Sequence, residues 1–168
     1  MKKWTLSAAA AALIAGCAQN PQTAEEFRQY VPTSSLAKVQ TFEAKRTYRD
    51  VAKTFQTKAP ECLNVSVRRV EQSSTSYSNV VTTYKPTVLV SEKKAELHVQ
   101  VSYKGNVIVP GKVPEGGMYY VVADATPIDR NRTRIDIYAP TIGTTTMVRA
   151  ITGWATGENV GCPDMTKN

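Results

Sequence analysis

A chain of 168 residues, 42% apolar and 21% charged, has room for one domain with a sizeable core and is too short for two. Its formal charge of +7 makes it moderately basic, which suits a neighbour rich in phosphates and equally suits a protein with no anionic partner. Beyond the first turns of the chain no stretch approaches the roughly 20 apolar residues of a membrane-spanning helix, which argues against an integral membrane protein built from helices.

The chain opens with Lys2 and Lys3. It continues through an apolar run at residues 6–13, interrupted by Ser7, and reaches the small-residue sequence Ile14-Ala15-Gly16 directly before Cys17. A positive start, a short apolar run and a small-residue cleavage site are the parts of a secretory signal, and the run is too short to cross a bilayer. With a cysteine immediately after the cut, the arrangement resembles the type II signal sequence and lipobox of bacterial lipoproteins. The resemblance implies that residues 1–16 are removed and that Cys17 becomes the first residue. Its sulfur would carry a diacylglycerol and its amine a further acyl chain, and no other cofactor is expected. Several chains, at about 0.8 kcal/mol per buried methylene, anchor far more firmly than one. Ala18, Gln19 and Asn20 follow, with no aspartate beside the cysteine. In a bacterium with two membranes the resemblance then implies the outer membrane, with the protein on its periplasmic side. Loss of Lys2 and Lys3 lowers the charge from +7 to +5.

Residues 17–41 are polar, contain Pro21 and Pro32 and lack sustained periodicity, so they read as a lipidated tether, with Phe27, Tyr30 and Val31 able to dock part of it. Over residues 42–59 the apolar Tyr48, Val51, Ala52, Phe55 and Ala59 recur at three and four, which predicts an amphipathic helix capped by Thr41, favoured by Glu43 and ended by Pro60. Period two then takes over. It begins at Val65 and Val67, and a strand is predicted at 80–90, where Pro86 implies an edge or a break. Clear alternation runs from Leu97 to Tyr103, and further strands are expected at 118–125 and 133–138, with turn chemistry at 104–106 and 115–117. Past Pro140, Met147, Val148, Ile151, Trp154 and Ala155 mark a second helix, capped by Thr144 or Thr145 and terminated by Gly157.

Helix, sheet, helix in that order predicts an α+β fold. An antiparallel meander would carry an N-terminal and a C-terminal amphipathic helix on one dry face, as a two-layer domain over residues 42–164 with a short tail at 165–168. With Cys17 taken by lipid, Cys62 and Cys162 remain as an even pair in a compartment where disulfides persist. Each lies near the exit of one helix, which favours a bond between them; two separate buried thiols are the alternative.

Candidates for chemistry are few. His98 is the only imidazole, flanked on its side of the strand by Glu96 and Gln100, and the favoured reading is a solvent-facing position. No GxSxG, GxGxxG or GxxxxGK[ST] occurs, and nitrogen and sulfur ligands for a metal are scarce, so no catalytic or metal site is assigned. The basic residues offer more. Lys45, Arg49 and Lys53, joined by Arg46, form a stripe on the first helix, and Arg130, Arg132 and Arg134 share one face of a strand or its approach. These are candidate contacts for an envelope protein or an anionic envelope polymer, against the plainer reading of a solvated helix face and a charge-blunted strand edge. Nucleic acid is excluded as a partner for a protein outside the cytoplasm. Tyr119 and Tyr120 are adjacent on a strand and must point to opposite faces. The leading functional expectation is a non-enzymatic, lipid-anchored binding or structural module. The alternatives are a small cell-wall or lipid hydrolase using His98, and a lipid or polyanion carrier with a cavity between helices and sheet.

Overall fold

Residues 20–166 are described by the computed structural model, so the expected signal peptide, cleavage site and Cys17 lie outside the described residues. The elements in chain order are helix α1 (Ala24–Tyr30), a 3₁₀ turn (Val31–Thr33), strand β1 (Ala37–Ala44), helix α2 (Tyr48–Leu63), strands β2 (Val65–Gln72), β3 (Tyr77–Val90), β4 (Ala95–Gly105), β5 (Met118–Pro127) and β6 (Thr133–Pro140), and helix α3 (Thr145–Thr156). Strands β2 to β6 form a meander, and β1 pairs antiparallel with β6, giving a six-stranded sheet in the order β1-β6-β5-β4-β3-β2. The fold is α+β with helices packed on an antiparallel sheet, as the alternation of periods predicts.

Three boundaries differ from the sequence reading, each for a physical reason. The stretch expected to be a tether folds: α1, the 3₁₀ turn and β1 lie within residues 24–44. Here Phe42 and Ala44, two apart, pair with Ile135 and Thr133, so these residues belong to a strand rather than to the first turn of a helix. The helix starts later, at Thr47, whose Oγ1 accepts from the Asp50 backbone N–H at 3.1 Å and donates to the Asp50 carboxylate at 2.8 Å. It also continues through Pro60 to Leu63. A proline this deep in a helix costs up to about 3 kcal/mol, offset here by complete burial of Leu63 and near-complete burial of Cys62. Cys62 therefore sits in the last turn of α2, and it is joined to Cys162 with the two Cα atoms 4.9 Å apart. The C-terminal stretch is tied down as well, since Met165 is buried in the core.

Helix α2 begins beside β1 at one edge of the sheet and delivers the chain to β2 at the other, so it must cross the sheet, and α3 packs beside it. The core between this layer and the sheet is filled by Phe55, Leu63, Leu97, Ile135, Met147, Ile151 and Trp154. Pro86 finds the edge it needs: β2 begins opposite Tyr84, so the β3 residues beyond it pair only with β4. A bulge between Val99 and Gln100 leaves Tyr120 unpaired, so Tyr120 and Val121 both face the main core while Tyr119 and Val122 face the other side. That other side is also covered. Ala24, Phe27 and Val31 of the α1 region pack on Val122, Tyr119 and Tyr138, making a third layer where a wet face was expected.

Candidate functional site

Helix α1 has seven residues, too short to persist alone, and its start is fixed by Thr23, whose Oγ1 accepts from the Glu26 N–H at 3.1 Å. Glu26 reaches back to the Gln22 N–H at 2.7 Å, and Glu25 and Glu26 together favour the positive end of the helix dipole. With Phe27 anchored in the apolar patch, Arg28 points its guanidinium into the sheet. There, Glu96 of β4 stands directly across from Asp124 of β5. Like charges at facing positions repel, and Arg28 is the cation that bridges the two. Arg28 donates from Nε to Asp124 Oδ2 and from Nη2 to Asp124 Oδ1, both at 2.7 Å, and from Nη2 to Glu96 Oε2. Lys94 closes the far side, with Nζ 3.0 Å from Glu96 Oε1.

His98 completes the cluster. Its Nε2 lies 3.1 Å from Glu96 Oε2, and its ring meets Tyr119 edge-on with centroids 6.0 Å apart. The side chain is 11% exposed, which corrects the expected solvent-facing position: the strand face is the polar one, but α1 covers it. Burial pushes the imidazole pKa down, against the upward pull of Glu96 and with a further lowering from Arg28. A neutral ring whose Nε2–H donates to Glu96 satisfies this geometry. Burial also works against ionisation of Glu96, but hydrogen bonds from Lys94, Arg28 and His98 outweigh it and hold the carboxyl at about 2. Arg28 is raised above its ordinary value: burial opposes its charge, and Asp124 and Glu96 more than compensate. Two cations thus face the two sheet carboxylates around one neutral imidazole, with the exposed Glu25 3.4 Å from Arg28 Nη1 at the rim, an arrangement that locks α1 to two strands.

Sequence reasoning found His98 and Glu96 and missed Arg28 and Asp124. The available signal was Asp124, an acid in the middle of the apolar run Val121, Val122, Ala123, Ala125, at a depth where charge needs a partner.

The basic candidates do not form one site. Lys45 lies in the turn before α2, while Arg46 folds inward, donating to the Trp154 carbonyl at 2.7 Å and to Thr54 Oγ1 at 3.2 Å. That leaves Arg49 and Lys53 exposed on α2, along an open groove of about 910 Å³ shared with Val90, Ser91 and Glu92 of the β3–β4 turn. Arg132 pairs with Asp129 at 2.7 Å and Glu43 at 3.0 Å, and Arg134 pairs with Asp136 at 2.9 Å; Arg130 sits in the exposed turn between β5 and β6. Among the described residues, the group with metal-ligand spacing is Glu61 with Cys62 and Cys162, whose sulfurs are already bonded to each other. No described helix is long and apolar enough to cross a membrane.

No protein-family model matches the chain, and no curated protein matches it. Among solved structures it is similar to a conserved protein from Geobacillus kaustophilus, at 16% identity over 73% of this chain and 88% of that one, with a TM-score of 0.31. It is also similar to norcoclaurine synthase of Thalictrum flavum. A point mutant in complex with a transition-state analogue gives 13% identity, 73% and 93% coverage and a TM-score of 0.28. The complex with dopamine and hydroxybenzaldehyde gives 12%, 76% and 88%, and 0.28. Likeness at this level carries no statement about function.

Proposed function

We propose that the protein is a lipid-anchored cell-envelope module that works by binding or structure rather than by catalysis, held through acyl chains on Cys17 at the periplasmic side of an outer membrane. The anchor rests on the Ile14-Ala15-Gly16-Cys17 sequence. The observation that favours a non-enzymatic role is the fate of the one imidazole. His98 is buried beneath α1, its Nε2 turned to Glu96 within the ion-pair cluster, and burial lowers its pKa. An acid or base that must meet substrate needs an approach, and here the approach is occupied by Phe27 and Arg28. A carrier role is disfavoured by the large side chains that fill the space between α2, α3 and the sheet. The exposed Arg49 and Lys53, with Lys45 and Arg130, are the remaining candidate contacts for an anionic envelope polymer or protein.

The test has two parts. Growth with labelled palmitate should give a labelled product whose label is lost in Cys17→Ser, and globomycin should shift its apparent size; an unlabelled wild type would remove the anchor. His98→Gln should leave every cellular phenotype of the wild-type gene intact, whereas a null phenotype in a folded His98→Gln protein would return the hydrolase reading.

A further inference from the structure

Within the connection between β4 and β5, residues 106–117, the stretch 106–114 is largely exposed and rich in apolar side chains. It reads Asn106, Val107, Ile108, Val109, Pro110, Gly111, Lys112, Val113, Pro114. Ile108 is 95% exposed, Val107 and Val113 are also exposed, and the lysines Lys104 and Lys112 flank them. A single exposed aliphatic residue needs no explanation, but several in one loop with cations on either side do.

The position of the loop supplies one. Asn20 donates from Nδ2 to the Pro110 carbonyl at 2.7 Å and to the Lys112 carbonyl at 3.3 Å, and Gln22 Nε2 donates to the same Lys112 carbonyl at 3.0 Å. The start of the folded chain is therefore stitched to this loop. Cys17 precedes Asn20 by three residues, and three peptide units span at most about 11 Å between Cα atoms. Acyl chains on Cys17 would therefore be attached within that distance of Asn20, whose side chain holds the loop.

We propose that residues 107–113 form a second membrane contact, with Val107, Ile108 and Val113 entering the interfacial region of the leaflet that holds the lipid anchor, and Lys104 and Lys112 meeting its phosphates. Lipid and loop then act as two linked attachments, which fix the orientation of the domain as well as its location. The opposite end of β4 points away from the bilayer. Residue 96 lies nine positions from Gly105, roughly 30 Å along a strand, and carries Leu89 of β3 as its partner. This inference rests on the lipoprotein reading above.

The test uses the mature lipidated protein in vesicles of phosphatidylethanolamine and phosphatidylglycerol containing brominated acyl chains. Two variants are compared, Ile108→Trp at the loop and Leu89→Trp at the far end, each corrected for the buried Trp154. Ile108→Trp should show a blue-shifted emission quenched at least about twofold more than Leu89→Trp, as expected for a side chain buried in the headgroup boundary. Equal quenching in the two variants, with palmitate confirmed on Cys17 by mass, would overturn the loop contact and leave the anchor standing. A mass showing no acyl chain on Cys17 would overturn the anchor and, with it, the geometry on which the loop argument depends.

Discussion

Replacing Arg28 by methionine keeps most of the aliphatic stem and removes the charge, leaving Asp124, with a side chain only 9% exposed, facing Glu96 with no cation between them. Breaking a buried ion pair by deleting one partner costs about 3–5 kcal/mol, because the surviving charge stays desolvated. The protein has one way to limit that loss, which is to lift α1 and rehydrate the carboxylates. Lifting it gives up the burial of Phe27 and Val31, at about 1.5–3 kcal/mol each, so both routes converge on a loss of about 3–5 kcal/mol. Against a total stability on the order of 5–15 kcal/mol this is large. Urea unfolding of the protein at pH 7.5, followed by far-ultraviolet circular dichroism, gives the free energy, and hydrogen exchange over residues 24–33 reports whether α1 detaches. Arg28→Lys should fall between, since it restores charge without the two-pronged fork. Adding Glu96→Gln and Asp124→Asn to Arg28→Met should recover much of the loss, because amides in those places neither repel nor resist desolvation so strongly. A loss below about 1 kcal/mol for Arg28→Met, with amides 24–33 as protected as in the wild type, would refute the view that α1 is held by this cluster.

The same cluster sets an acid limit. His98 has a lowered pKa in the fold, so the unfolded chain takes up its proton first, and stability should decline as pH falls below about 6.5; the effect should vanish in His98→Gln. Glu96 is depressed from 4.5 to about 2, so its contribution is present above 4.5 and is lost between those values. After discounting for solvent screening it is on the order of 1–2 kcal/mol, and it should be missing from the urea midpoints of Glu96→Gln. Reduction of Cys62–Cys162, which closes a sequence separation of 100 residues, should cost about 4–5 kcal/mol in the chain-entropy model, read from paired denaturation curves with and without reductant. Gly117→Ala should destabilise by about 2–4 kcal/mol: its φ of +113° disfavours a side chain, and a Cβ there would meet the Val101 carbonyl oxygen at 2.4 Å, so a wild-type melting temperature would contradict the geometry.

Much of the sheet was legible because its signal is local. Alternation from Leu97 to Tyr103 and from Thr133 to Tyr138 marks strands half-buried against the helical layer, and the three-and-four spacing of Met147, Ile151, Trp154 and Ala155 marks α3, closed by Gly157 in a left-handed conformation. What escaped depends on partners distant in sequence. β1 becomes a strand because β6 lies open beside it, and nothing in residues 37–44 alone decides that against a helix start. α1 is too short to announce itself and is stabilised by Val122, Tyr119 and the carboxylates of β4 and β5. The burial of His98 follows from α1 and was hidden with it. The basic stripe also dissolved for a tertiary reason: Arg46 is drawn inward by the free carbonyl of Trp154 at the end of α3, a partner more than a hundred residues away.

The pairing of the first strand with the last has a kinetic side. Ala37 meets Pro140 and Ala44 meets Thr133, so β1 has no partner until nearly the whole chain has been synthesised. Closing so long a loop is entropically slow, and the meander of β2 to β5 has only neighbours to find. The hairpins should therefore assemble first, with the first two elements, α1 and β1, adding together as the final step. In a truncation series released from the ribosome, protection of residues 24–44 from protease should switch on only once β6 is complete.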